Sequence, residues 1–426
     1  MLFEIISTGT MLGVMGSSYY FQHSQSKDHE KIEKIAKSLN LKTPEESIRL
    51  FRKRKGENYI EYVYKIPLGL SFKEFEDKKQ VFVDGLNNKS RPDLNIENLK
   101  KMDWKGNVPK QIKNLINNRK PLDKQIEMEY DGMLKMRVYE EGLPKRVAYD
   151  DDMLASLKGW QVPIGITYKD FITHDFDELQ MLVVAGMTRY GKTVFLKNAI
   201  TTLIHQQPNN VRFTLIDLKG GLAFSRFINR KQVDQVAKDE KTSLKALESL
   251  HKKILDRQEE FLEKGYEDIG EAGYKKRHFV VIDEGAEVDG FKDKQTKERC
   301  THLIGEIARL GAGLGYRLIF ATQYPTADVF PRQVKANTSA ALCFKLKNST
   351  QSMVVLDRVG AEQLPTKLRG RAIYQTDTEH VLQTPYITND FINDKLEPHR
   401  RRKENAPHQE KATGTRGEDT AIFEEA

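Results

Sequence analysis

Met181-Leu-Val-Val-Ala185, then Gly186-Met187-Thr188-Arg189-Tyr190-Gly191-Lys192-Thr193, then Val194 to Ile204, decide how the chain is read. A short, wholly apolar run is a strand covered on both faces, and the segment from Val194 onward has helical spacing. The turn between them has two glycines separated by four residues, followed by Lys-Thr, which is the phosphate-binding loop pattern. Glycine lets the backbone curl until its N–H groups and the start of the helix face the β- and γ-phosphates. Lys192 adds a positive charge there, and the Thr193 hydroxyl can ligate Mg²⁺. The stretch from Gly186 to Val194 is therefore expected to bind a nucleoside triphosphate.

Working outward, such a loop needs an acid at the end of another buried strand, and Phe279-Val-Val-Ile-Asp283-Glu284 supplies it. Asp283 can hold magnesium through water, while Glu284 can orient and deprotonate an attacking water. This pair points to hydrolysis. A third strand, Leu318-Ile-Phe-Ala-Thr322-Gln323, ends in polar residues. Parallel neighbours deliver their carboxyl ends to one edge, so Gln323 is expected to face the γ-phosphate. Ile216-Asp217-Leu-Lys219-Gly-Gly221 ends a further strand at this edge, and its residue types assign it no role.

From Val162 to Ile387, apolar runs at 181–184, 213–216, 279–282, 317–321 and 340–344 alternate with helical patterns. This predicts an α/β fold with helices on both faces of a mostly parallel sheet, over residues 151–392. In the helix expected from Leu244 to Glu263, Leu247, Leu250, Ile254, Phe261 and Leu262 form an apolar stripe. Residues 58–150 read as a small α+β domain: Tyr59 to Ile66 alternates, and Asp131-Gly132 joins two strands as a hairpin turn. Leu99 to Asn118 is expected to be helical.

The ends differ from this texture. Residues 1–25 hold a stretch, Met1 to Phe21, in which only Glu4 is charged, long enough to span ~30 Å of hydrocarbon. Lysines begin at Lys27, so a membrane anchor here would leave the rest of the chain in the cytoplasm. Residues 26–57 read as a charged helical linker ending in Arg52-Lys53-Arg54-Lys55, and residues 393–426 as a disordered polar tail. Across 426 residues, 69 Lys and Arg against 61 Asp and Glu leave a net charge of +8, which permits an acidic partner without demanding one. With 38% hydrophobic and 31% charged residues, the chain is neither collagenous, polytopic nor wholly disordered. Two cysteines exclude a disulfide framework.

Four stretches together resemble the FtsK/SpoIIIE DNA-pumping ATPases: GMTRYGKT at Gly186, IDLKGG at Ile216, VVIDEGAEV at Val280, and the run from Leu318 to Tyr374. In that last run, LIFATQYPTADVFPRQVKANTSAALCFKL, LDRVGAEQLP and GRAIYQ look like the family's signatures in order. The resemblance covers about Trp160 to Ile387 and is most like the compact motors of Gram-positive conjugative elements. It implies a RecA-like motor that uses ATP and Mg²⁺, forms a homo-hexameric ring and holds DNA without reading its sequence. It further implies an N-terminal membrane anchor, with a processed DNA strand coupled to a membrane channel through a relaxase or channel proteins. Where the family often has an arginine before the third strand, this chain has Ala312. The trans-acting arginine is then expected at Arg309, with Arg257 and Arg332 behind it. No winged-helix reader of DNA polarity is expected. A protein-secretion ATPase and a nucleotide-gated scaffold are the alternative readings.

Overall fold

The computed structural model describes residues 28–56, 58–88, 90–92, 119–140, 142–327 and 330–401. The expected anchor at 1–21, the helix expected over 99–118 and the chain beyond 401 lie outside these residues. Among the described residues, no helix is long and apolar enough to cross a membrane. The chain divides into two compact units near residue 145, with Tyr168–Asp170 grouped with the first.

The first unit contains α1 (Asp28–Ser38), β1 (Arg49–Lys55), β2 (Tyr59–Lys65), α2 (Phe72–Glu76) and α3 (Lys79–Leu86). The short pair β3 (Ser90–Pro92) and β4 (Arg119–Pro121) follows, then β5 (Gln125–Tyr130) and β6 (Leu134–Tyr139). An antiparallel sheet of order β1-β2-β6-β5 places alternate residues in a core. Tyr62, Tyr64, Ile126, Met136 and Val138 pack there against Ile32, Ala36, Phe82 and Leu86 of the helices. The Asp131-Gly132 turn forms as its sequence predicts, with Gly132 at φ +90°. The segment read as a helical linker differs: only α1 is helical, and Arg49–Lys55 is an edge strand. Pairing with β2, and burial of Ile48 and partial burial of Leu50 in the core, outweigh the helical preference of Arg and Lys.

The second unit begins with β7 (Val147–Ala148), α4 (Asp151–Ser156), β8 (Gln161–Ile166) and β9 (Phe171–Asp175). Then come β10 (Met181–Ala185), α5 (Lys192–Gln206), β11 (Val211–Ile216), β12 (Val233–Ala237), α6 (Glu240–Lys264) and β13 (Arg277–Ile282). It continues through α7 (Lys294–Leu310), β14 (Tyr316–Thr322), α8 (Arg332–Asn337), β15 (Ala340–Phe344) and α9 (Ser349–Leu356). The described part closes with β16 (Arg371–Gln375), β17 (Glu379–Gln383), β18 (Pro385–Tyr386) and α10 (Asn389–Leu396).

A ten-stranded sheet of order β12-β11-β13-β14-β10-β15-β16-β17-β8-β9 organises this unit. The six strands from β12 to β15 are parallel, and the remaining four join antiparallel, so the sheet is mixed. Helices cover both faces. Leu182 and Val184 of β10 share one core with Phe195 and Leu203 of α5. Met181 and Val183 share the other with Leu250 and Ile254 of α6 and with Ile304 of α7. In α6, Leu247, Leu250, Ile254 and Phe261 are buried, whereas Leu262 is 77% exposed. One residue is a rotation of ~100° on a helix, so neighbours 261 and 262 cannot share a face. The chain also stays ordered past the expected start of the tail. The His399 carbonyl accepts from Lys231 N at 2.9 Å, and Arg401 N donates to the Asn229 carbonyl at 2.8 Å.

At the amino ends of β13 and β14, two arginines meet one carboxylate. Arg277 donates to Asp177 at 2.8 and 3.1 Å, and Arg317 at 3.0 Å. Burial pushes the Asp177 carboxyl up, but these hydrogen bonds and charges outweigh it and hold the group below its usual range. The folded form therefore binds its proton less readily than the unfolded chain does. The stabilisation is present at neutral pH and is lost as pH falls through the lowered value. Asp177→Ala leaves the buried Arg317 without its anion and is expected to cost roughly 2–4 kcal/mol. Denaturant unfolding at pH 7 checks this, and the difference from wild type should shrink in acid.

Candidate functional site

Strand register sets the site. Ala185 lies beside Thr322 and Cys343, Ile216 beside Ile282, and Ile282 beside Phe320. The residues that follow these strands, Gly186, Asp217, Asp283 and Gln323, therefore emerge along one edge. Main-chain bonds continue the register into the loops: Gly186 N donates to the Thr322 carbonyl at 3.1 Å, and Asp283 N to the Ile216 carbonyl at 2.9 Å.

The glycines of the loop are required by Phe344 beneath it. A Cβ on Gly186 would lie 2.6 Å from Phe344 Cβ, and one on Gly191 would lie 2.6 Å from Phe344 Cε1. Gly191 also has φ +133°, in the region that side chains rarely adopt. Arg189, at φ +72°, carries the loop around its bend. Helix α5 then starts at Lys192 with no side-chain cap on its N-terminus. Its first amides have no partner within the helix, so they are available to an anion. Gly191→Ala should destabilise the protein by about 1–3 kcal/mol and weaken nucleotide binding more than tenfold. Thermal unfolding and nucleotide titration check this, and unchanged values would show that Phe344 does not constrain the loop.

Around this loop the structure gathers two lysines and two acids. The Lys192 ammonium is buried, and its Nζ lies 3.1 Å from Asp283 Oδ1 and 3.5 Å from Glu284 Oε2. It also donates to the Asp283 carbonyl. Glu284 is fully buried and bound on both oxygens. Oε1 accepts from Thr322 Oγ1 and from Gln323 N, each at 2.8 Å, while Oε2 lies 3.3 Å from Lys219 Nζ. A buried carboxylate needs such partners to stay charged. Gln323 in turn accepts from the Thr188 hydroxyl at 2.6 Å, which ties the end of β14 to the phosphate loop. One turn along α5, burial and then the Arg226 charge lower the pKa of Lys197, while the Asp283 charge opposes them.

Lys219 is the residue whose role the sequence leaves open. Asp217 shapes its loop: Oδ1 accepts from Lys219 N at 3.0 Å and Oδ2 from Ala223 N at 2.8 Å. Gly220 and Gly221, both at positive φ, turn the chain back. The readable signal is its place, three residues past the end of β11, the strand adjoining the one that Asp283 follows.

A cleft of about 310 Å³ opens beside Gly191 and Val194, with Arg146, Arg369, Thr384 and Tyr386 among its walls. The Arg146 guanidinium lies 4.7 Å from the centre of the Tyr386 ring. Its volume is at the lower end of the range for small-ligand sites. These residues come from distant parts of the chain, and no local motif marks them.

The three candidate arginines are not with this group. Arg309 ends α7, is exposed, and donates to Glu306 at 2.7 and 3.2 Å. It borders Met181 and Tyr316, at the amino ends of β10 and β14, the sheet edge opposite the phosphate loop. Arg257 donates to the Leu314 carbonyl and lies 5.0 and 5.1 Å from the rings of Tyr274 and Tyr316. Arg332 is exposed at the start of α8.

Comparison with known proteins places this geometry. Residues 159–280 match the model of the FtsK/SpoIIIE family. DNA translocase FtsK of Leptospira interrogans is 31% identical over 245 residues, 53% of this chain and 25% of that protein. FtsK of Lactococcus lactis is 27% identical over 272 residues, 56% of this chain and 34% of that protein. The matches thus span a quarter to a third of these relatives' length. Among solved structures, the pCW3 conjugation coupling protein TcpA, in its monomer form with ATPγS, aligns with TM-score 0.57 and 21% identity. The alignment covers 88% of this chain and 99% of that one. The cytoplasmic domain of the type VII secretion ATPase EccC of Thermomonospora curvata aligns with TM-score 0.50 and 20% identity. It covers 57% of this chain and 31% of that one. The likeness to both structures is one of fold. By this match, residues 159–280 of the second unit resemble the ATPase domain of the FtsK/SpoIIIE family.

Proposed function

We propose that the chain is an ATP-driven DNA translocase that acts as a homo-hexamer and couples DNA to a membrane channel during conjugative transfer. The observation that carries the reading is the convergence of Lys192, Asp283, Glu284 and Gln323 at one sheet edge beside an uncapped helix start. The triphosphate lies along residues 186–194, with Lys192 on the β- and γ-phosphates and the nucleoside toward the cleft at Arg146 and Tyr386. Thr193 and Asp283 would hold Mg²⁺. A hydroxyl and a carboxylate fit that hard cation, and the Thr193 hydroxyl has no hydrogen-bond partner among the described residues. Bound there, the ion neutralises phosphate charge.

Glu284 takes a proton from the attacking water, oriented by its bonds to Thr322 and Gln323. Gln323 joins the loop to β14 and so transmits the loss of the γ-phosphate to the sheet. Arg309 is the arginine offered to a neighbouring subunit. Arg257 is engaged within its own chain, and Arg332 is the exposed alternative. A ring of such motors grips DNA through its phosphates, without reading bases. Relaxase or channel proteins of the transfer apparatus are the partners, and the motor lies on the cytoplasmic side of a cell membrane.

The sequence relatives at 27–31% identity are DNA translocases, and the TcpA fold extends over 88% of the chain, which supports DNA and transfer. The likeness to EccC favours a second reading, a motor for protein secretion. ATPase assays of the full chain separate the two. DNA should stimulate hydrolysis severalfold, with a steep decline as salt rises. Hydrolysis that ignores DNA and responds to a secreted peptide would favour the second reading.

A further inference from the structure

Strand β1 carries charge that the nucleotide site does not use. Its seven residues, Arg49–Lys55, include five cations and are almost entirely exposed. Among the described residues, none of the five lies within ion-pair distance of a carboxylate. Lys53 lies 5.7 Å from the Tyr62 ring. Glu61 lies across from Arg54 in the register, but it is nearly buried and accepts from Arg137 at 3.1 Å. Among the described residues, β1 pairs only with β2 and is an edge of its sheet. Lysines on edges prevent sheets from joining. Here five cations share one short strand with Phe51, which is 71% exposed.

We propose that β1 docks on the anionic phospholipid head groups of a membrane surface, with Phe51 entering the interface. Basic residues beside an exposed aromatic suit that boundary, where the cations meet head-group phosphates and the ring leaves water. Chain connectivity favours lipid over nucleic acid. The anchor read from the sequence ends at Phe21, seven residues before α1, a reach of at most ~25 Å. Helix α1 holds the start of β1, because Glu33 accepts from Leu50 N at 3.1 Å. The inference rests in part on the membrane reading of residues 1–21, and its test separates the two.

A fluorescent NBD group on Phe51→Cys in the full chain reports on β1 itself. Cys300 and Cys343 are buried, which confines the label. With phosphatidylglycerol-containing vesicles the emission should brighten and shift to the blue, and high salt should reverse this. Pure phosphatidylcholine vesicles should leave the probe unchanged even where the anchor holds the chain on them. Each cation is worth about fivefold in partitioning. Changing Arg52, Lys53, Arg54 and Lys55 together to Gln should therefore abolish the signal while ATPase activity persists. No shift with phosphatidylglycerol, or an equal shift on phosphatidylcholine, overturns the proposal. So does a shift with duplex DNA and none with the anionic vesicles, which would make β1 a nucleic-acid contact.

Discussion

Lys192→Ala is expected to lower ATP hydrolysis by about a thousandfold or more and to abolish DNA transfer. The side chain has two roles in the structure. It stands where the phosphate loop enters α5, and its ammonium neutralises Asp283 and Glu284 at 3.1 and 3.5 Å. Removing one partner of a buried ion pair leaves the other uncompensated, at about 3–5 kcal/mol in isolated cases. Lys219 remains 3.3 Å from Glu284 and offsets part of this loss, so Asp283 bears most of it. The variant should therefore fold, with reduced thermal stability and greatly weakened nucleotide binding. Wild-type transfer in a folded Lys192→Ala protein would remove the motor from the account.

Glu284→Gln should give a different defect. The amide retains an oxygen for Thr322 Oγ1 and Gln323 N, but it loses the base and the one carboxylate charge that faces both Lys192 and Lys219. Hydrolysis should fall by about 10²–10⁴-fold. Nucleotide binding should be kept or tightened, because both lysines lose a competing carboxylate. The contrast is the useful result: Lys192→Ala loses binding and turnover together, whereas Glu284→Gln binds ATP without consuming it. Equal loss of binding in both variants would mean that Glu284 shapes the pocket and does not act on water.

How much was legible in the sequence depended on whether the information was local. The strands ending at Ala185, Ile282, Thr322 and Phe344 were readable because residues buried on both faces leave continuous apolar runs. Asp283, Glu284 and Gln323 followed, since parallel strands share one functional edge. Lys219 was visible but mute, because its meaning lies in a contact with a residue 65 positions away. The cleft at Arg146 and Tyr386 was not readable for the same reason. The antiparallel strands β8 and β9 were missed because they precede the motor strands in sequence but close the far edge of the large sheet in space. The run Arg49–Lys55 misled in the opposite direction. Its composition suggests a solvated helix, and only pairing with β2 makes it a strand.

The central claim is that ATP hydrolysis at this site moves DNA past the protein. Displacement of streptavidin from the biotinylated end of a DNA strand, tried on single- and double-stranded tracks, tests it most directly. The wild-type chain should displace streptavidin with ATP from at least one track, at a rate independent of base sequence. It should fail with ATPγS, and the Glu284→Gln variant should fail with ATP. DNA-stimulated hydrolysis with no displacement on either track would contradict the account.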